Sequence, residues 1–287
     1  MNAAVRWPAL EPESIASRAW LDQLVELAGR APSLPCIQVR ARSEHLLASV
    51  SIDTPLLVVP LQGYKRARET DAWVQVMAGE LFLIPRPATI DIENIPDPVT
   101  GWYSAIGIPL EEHVLSAARQ LVREPIRAGR SRITCVPLDA HIEDLTNWLS
   151  AVKRGELPRA CHSIVGVVLR LYAQGFHDLL HCPPPTVSAR IRSMVAANPT
   201  HEWSSAALEE QLSVSGATLR RHLAAEGMSL RRVIADARLA QALSLLLTTQ
   251  LPVKSVAARA GYASVSTFVK RFRERYGVEP SGVVGRL

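Results

Sequence analysis

The spacing of apolar positions changes character repeatedly along the chain. Ile15, Ala19, Leu21, Leu24, Val25 and Leu27 approximate a helical stripe that Pro32 and Pro35 end, which predicts one amphipathic helix after a short tail. From Cys36 the period becomes two: Ile37, Val39 and Ala41 alternate with polar partners. Short apolar runs follow at Leu46–Val50, Pro55–Leu61, Trp73–Val76, Glu80–Pro85, Thr89–Ile92 and Trp102–Ile108. Runs of this length at intervals of roughly ten residues, punctuated by Gly, Pro and Asp, predict a β-sandwich or barrel. After Pro109 the helical period returns in three stripes. The first is Val114, Leu115, Ala118 and Leu121; the second runs from Leu138 through Ile142, Leu145, Trp148 and Leu149 to Val152. The third is Ile164, Val167, Val168, Leu171 and Tyr172. His181-Cys182-Pro183-Pro184-Pro185 then stops helix formation, because consecutive prolines make a stiff extended spacer.

Beyond the prolines the pattern is wholly helical. Thr186 to Ala197 reads as one helix, Ser204 as the cap of a second, and Ser213 to Gly216 as a turn into a third with Leu219 and Leu223 inward. A long helix from Leu230 to about Thr248 follows. Val253, Val256, Ala257 and Ala260 then fall at helical spacing, Gly261 stops that helix, and Ser264 caps another. In this last helix Phe268 and Phe272 face a core while Lys270, Arg271, Arg273 and Arg275 crowd the remaining surface. Two helix-turn-helix units joined by a long helix are therefore expected. A connector of about 18 residues spans roughly 27 Å, which sets two recognition helices about one DNA turn apart.

Charge separates the same two regions. From Thr186 onward there are 14 Lys and Arg against 7 Asp and Glu, a net of +7; the first 185 residues carry 18 against 20, a net of −2, which together give the +5 of the 287-residue chain. A polyanionic partner is expected for the C-terminal third alone. Cys36, Cys135, Cys161 and Cys182 form no C-x-x-C pair and have no His at zinc spacing, so neither a metal site nor a disulfide framework is expected. The N-terminus lacks an apolar signal core and no run approaches about 18 apolar residues, which leads to the expectation of a cytoplasmic protein.

At Val256, Ala257, Gly261, Tyr262, Ser264, Phe268, Phe272, Gly277, Val278 and Pro280 the chain resembles the signature of the AraC/XylS family of bacterial transcription regulators, with Glu279 departing from a usual small polar residue. The segment Val214 to Leu230 resembles the family's first recognition helix, and Arg238-Leu239-Ala240-Gln241-Ala242 its R-L-x-x-A segment. The resemblance implies an α+β multidomain chain: a sensing and dimerisation domain over residues 1–182 with a cupin-like β-barrel and flanking helices, a linker at 183–185, and an all-α DNA-binding domain over 186–287. It implies base contacts by Ala217, Arg220 and Arg221 in one helix and by Val265, Ser266, Val269 and Lys270 in the other. Ser215, Thr218, Thr267 and Arg273 are placed for phosphates, with Ser264 at the helix start. Partners implied are double-stranded promoter DNA, RNA polymerase and a small-molecule effector, with no cofactor and no membrane.

Leu56 to Ile108 is similar to the family's cupin-like sensor, within which Tyr64, Arg66, Trp73, Arg86 and Trp102 are the candidate effector contacts. His45 and His113 are isolated and no strand carries H-x-H, so a metal-dependent barrel enzyme lacks its ligand set. A methyl-accepting repair protein with the same DNA-binding module would need a thiolate activated by clustered groups, which scattered cysteines do not supply. No catalytic residue is assigned. The strip Ile164, Val167, Val168 and Leu171 suits a homodimer seam or the chain's own core.

Overall fold

The computed structural model describes residues 15–30, 36–126, 129, 131–181, 186–249 and 251–283. Its contacts divide the chain into two compact units, one of Met1–Glu44 with Ile52–Cys182 and one of His45–Ser51 with Pro183–Leu287.

In chain order the described elements open with α1 (Ile15–Arg30), then β1 (Ile37–Ala41), β2 (His45–Ile52), β3 (Leu56–Gln62), β4 (Tyr64–Arg68), β5 (Val74–Met77), β6 (Glu80–Ile84), β7 (Ala88–Ile95) and β8 (Tyr103–Pro109). They continue with α2 (Glu112–Leu121), β9 (Thr134–Pro137), α3 (Ile142–Lys153) and α4 (Leu157–Ala173). The strands form a five-stranded sheet ordered β1-β8-β3-β6-β9 and a four-stranded sheet ordered β2-β7-β4-β5.

The period-two alternation assigns each side chain of the five-stranded sheet to one of two cores. Leu57, Val59 and Leu61 of β3, Leu81 and Leu83 of β6, and Ile106 and Ile108 of β8 share a core with residues of α1 to α4. The intervening Val58, Phe82, Ile84, Tyr103 and Ala105 share another with Ala67, Val76 and Ile90 of the four-stranded sheet. Burial on both faces is why these strands read as near-continuous apolar runs. Pro60 has no N–H to donate to the ladder, and the register of β3 against β8 shifts between Pro60 and Gln62.

Two strands differ from the expectation. β4, sequence Y-K-R-A-R, and β9, T-C-V-P, carry too little apolar character to announce themselves. In β4 the outward positions Arg66 and Arg68 face Glu93 and Asp91 of β7 in register, and each guanidinium stands 2.8 Å from its carboxylate. Cross-strand ion pairs thus replace apolar contacts on that face.

The third stripe is also decided. Ile164, Val167, Val168 and Leu171 are 3, 0, 0 and 0% exposed and belong to the core that α4 shares with the five-stranded sheet, α2 and α3. These four side chains are spent inside their own domain, because α4 packs them into the core it shares with α2, α3 and the five-stranded sheet, and they do not form an exposed dimer seam. Val168→Glu should therefore unfold the N-terminal unit, at a cost on the order of 4 kcal/mol or more for burying an unpaired charge. Circular dichroism and thermal unfolding would read this, and a folded variant with unchanged melting would contradict the placement.

Candidate nucleic-acid interface

The C-terminal helices are α5 (Val187–Ala197), α6 (Ser205–Leu212), α7 (Gly216–Ala225), α8 (Leu230–Thr248), α9 (Val253–Arg259), α10 (Val265–Tyr276) and α11 (Pro280–Val283). Serine and threonine start most of them. Thr186, Ser204, Ser215, Ser229 and Ser264 each accept a hydrogen bond from a backbone N–H three residues on. Such caps satisfy donors that a helix start leaves open, each contributing about 1 kcal/mol.

α6 and α7 form the first helix-turn-helix. The chain turns at Ser213 (φ 55°), and Leu208, Leu212, Leu219 and Leu223 pack with Ile191 and Val195 of α5 and Val233 and Ala237 of α8. Ala217, Arg220 and Arg221 stand exposed at i, i+3 and i+4 on the other side of α7. Ser215 and Thr218 sit at its start, their hydroxyls 3.1 Å apart.

α9 and α10 form the second. Phe268 and Phe272 are fully buried and Tyr276 nearly so, and their rings run in series with Tyr262 at centroid separations of 5.4, 5.6 and 4.8 Å. With that seam inward, Val265, Ser266, Val269, Lys270 and Arg273 line one outer face, all exposed save the half-buried Val269, with Thr267 exposed beside them. Among the described residues Arg220, Arg221 and Lys270 have no carboxylate within ion-pair distance. Two of the cations grouped with them by sequence have other partners. Arg275 is 3.5 Å from Asp236 of α8, tying α10 to the connecting helix, and Arg273 is 3.1 Å from Glu279.

One arginine joins the two motifs. Arg238, midway along α8, donates through Nε to the carbonyl of Pro199 and through Nη2 to that of His201, both at 2.9 Å. These carbonyls belong to the approach to α6. From the other motif Gly261 (φ 80°) closes on the same spot, where an added Cβ would lie 2.2 Å from the Pro199 oxygen and 2.9 Å from Arg238 Nε. No side chain fits there, so the glycine is required by close approach as well as by its backbone angle. The sequence contained both residues within motifs but gave no hint that they meet. Beside them a groove of about 470 Å³ is walled by Trp203, Arg231, Arg238, Tyr262 and Arg271, none of them an expected base reader.

A family model described as a helix-turn-helix domain matches residues 208–286, from within α6 through α7, the connecting α8 and the second motif. Over 214 residues the chain is 28% identical to the transcriptional regulator YdeO of Escherichia coli K12, spanning 71% of this chain and 80% of that protein. The chain is also 33% identical over 103 residues to the transcriptional regulator GadX of Escherichia coli O6:H1, a match that spans 36% of the chain and only 38% of that relative. The fold is similar to that of ToxT from Vibrio cholerae, solved with an unsaturated fatty acid bound, with a TM-score of 0.62 and 16% identity over 86% of this chain and 92% of that one.

In the N-terminal unit the candidate effector contacts find partners on the outer surface. The guanidiniums of Arg66 and Arg68 lie 4.9 and 4.7 Å from the ring centre of Trp73, Arg86 binds Glu69, and Trp102 carries Arg42 at 4.3 Å. Arg66 and Tyr64 alternate with the buried Lys65 and Ala67, so they face away from the interior. Tyr64, Arg66, Trp73, Arg86 and Trp102 are all half-buried. The inward polar residues are Lys65 of β4, Asn94 of β7 and Tyr103 of β8, and sequence type alone did not single them out because a one-residue register decides the face. Burial pushes the Cys36 and Cys135 thiols up to about 12, away from the thiolate a methyl acceptor requires. Cys182 lies outside the described residues. Among the described residues no three His, Cys, Asp or Glu converge as metal ligands.

Two outcomes follow for the frame. Gly261→Ala should lower the stability of the C-terminal unit by about 2–4 kcal/mol through strain and clash, and Arg238→Ala by about 1–3 kcal/mol by stranding two carbonyls. Thermal unfolding of the full chain measures both. The second concerns pH. The Glu226 carboxylate accepts from the backbone N–H groups of Val187 and Ser188 at 3.0 and 3.2 Å. Desolvation pushes its pKa upward, but these bonds and those from the Ser188 and Thr186 hydroxyls outweigh it and hold the group below the usual glutamate range. A lowered folded-state pKa means stability that is complete above the ordinary glutamate value and is lost as pH falls through the folded one. Stability of the wild type should therefore decline faster than that of Glu226→Gln as pH is lowered from about 4.5; parallel curves in acid unfolding would remove this role.

Proposed function

We propose that the chain is a sequence-specific, DNA-binding transcription regulator whose C-terminal unit reads two successive major grooves and whose N-terminal unit senses a small molecule. One observation carries the reading: two capped helices each turn a face of hydroxyls and carboxylate-free cations outward, on a frame braced by α8 and Arg238. Helices presented this way donate to base edges and phosphates together. Arg220 and Arg221 suit guanine O6 and N7, and Val265 a thymine methyl. Ser215, Thr218, Ser264 and Thr267 suit phosphates at the positive helix ends. The names of the relatives, all regulators, support this reading over an enzyme.

Action on promoters implies a cytoplasmic location and contact with RNA polymerase. Among the described residues no helix is long and apolar enough to cross a membrane. Two copies acting together would need a seam outside the consumed face of α4, such as surface near Leu121 and Leu157, which are 64 and 55% exposed.

Arg221→Ala should cost roughly 1–3 kcal/mol on the preferred site and relax preference at one position. Arg273→Ala should weaken all sequences about equally and reduce the salt slope by at most about one unit, since Glu279 already occupies part of that charge. Glu279→Gln should then strengthen binding to matched and scrambled DNA alike. Titrations at several salt concentrations on both duplexes test all three, and discrimination unchanged by Arg221→Ala would remove α7 as a reader.

A further inference from the structure

The space between the two N-terminal sheets holds a cation that its neighbours do not balance. Lys65 is 6% exposed and Asn94, opposite it in register on β7, 1%. Lys65 Nζ donates to Asn94 Oδ1 at 2.7 Å, a neutral partner, and stands 5.6 Å from the ring centre of Tyr103 on β8 of the other sheet. Among the described residues no carboxylate pairs with Lys65. Tyr103 is completely buried and its hydroxyl has no hydrogen-bond partner. Burial pushes the Lys65 ammonium down to about 7 and raises the Tyr103 hydroxyl, the response of groups taken out of water without compensation.

A buried ammonium and an idle buried hydroxyl in one apolar layer are costly, and apolar residues of the same size would fill the space better. Their coexistence is accounted for if a ligand supplies what is absent: one negative charge and an acceptor. We propose that Lys65, Asn94 and Tyr103 form the polar end of an effector site for an amphipathic monocarboxylate. One carboxylate oxygen takes the Lys65 ammonium, which Asn94 holds in place, and the other accepts from Tyr103. One cation matches one charge, which favours a carboxylate over a phosphate dianion. Around the polar end the layer is apolar, with Val58, Val76 and Ile90, while Ala67 and Ala105 follow Lys65 and Tyr103 on the same strand faces with only methyl groups. Such walls accept a hydrocarbon body and offer a sugar few partners. No bond is made or broken on binding.

The inference rests on the regulator reading and is tested apart from it. The probes are unbranched carboxylates from butanoate to dodecanoate and the primary alcohols of equal length, titrated into the full chain by calorimetry and by thermal unfolding. At least one carboxylate should bind one per chain and raise the melting temperature, with its alcohol weaker by about tenfold or more. Lys65→Met should abolish the preference for carboxylate over alcohol, and Tyr103→Phe should weaken the carboxylate several-fold. If no carboxylate in the series binds, or if Lys65→Met binds it as the wild type does, the proposal is overturned. Should Lys65→Met not fold, unchanged carboxylate affinity in Tyr103→Phe overturns it equally. DNA binding by the ligand-free wild type is measured on the same preparation. Loss there strikes the regulator reading, whereas failed carboxylate binding with DNA binding intact strikes the effector site alone.

Discussion

The C-terminal unit depends on a guanidinium that spends its donors on backbone. Arg238 reaches from the middle of α8 to the carbonyls of Pro199 and His201, and Gly261 presses from the second motif onto the same carbonyl oxygen. Loop carbonyls have no ladder of their own, and burying them without a donor is costly. Arginine suits the place because its fork is planar, permanently charged and able to serve two acceptors at once. The brace turns a chain of helices into one body. Asp236, two residues earlier on α8, holds Arg275 of α10 and extends that body to the second recognition helix.

The N-terminal unit relies on a different constraint, the strict alternation of strand side chains. The five-stranded sheet feeds one core toward the helices and another toward its partner sheet, leaving little freedom in which residue faces where. The polar residues obey the same rule. Arg66 and Arg68 meet their carboxylates outside, and Lys65, directly before Arg66, is carried inward whether or not a counter-charge is present. A sequence that spends an inward position on lysine opposite a tyrosine with an unused hydroxyl is trading stability for something other than packing.

Legibility followed local physics. Capping serines, the Phe268 and Phe272 spacing, the long α8 and the stop at Gly261 could be read directly, because each depends on residues within one or two helical turns. The strands whose runs are buried on both faces were visible for the same reason. β4 and β9 were not, since what stabilises Y-K-R-A-R is Glu93 and Asp91 on a strand more than twenty residues away. The effector candidates were visible as aromatic and basic residues by type, but the direction of each side chain needed the register. Arg273 and Arg275 looked alike on the helix and differ only through Glu279 and Asp236. The apolar strip of α4 was ambiguous in sequence because a dimer seam and a domain core draw on one alphabet, and its complete burial decides between them.

The Arg238 brace has a bearing on how sites for such a protein can change over time. An inserted base pair moves two half-sites apart by about 3.4 Å and swings one around the duplex axis by about 35° relative to the other. A jointed reader could follow part of that swing by flexing its connector. A reader whose connector is a single 19-residue helix, pinned at its middle to the loop ahead of the first motif and through Asp236 to the last, has no joint to flex. On the DNA-reading function proposed above, new promoters would be recruited by exchanging letters within a fixed frame, and a one-letter frameshift in the operator would silence it as surely as the loss of its best-read base.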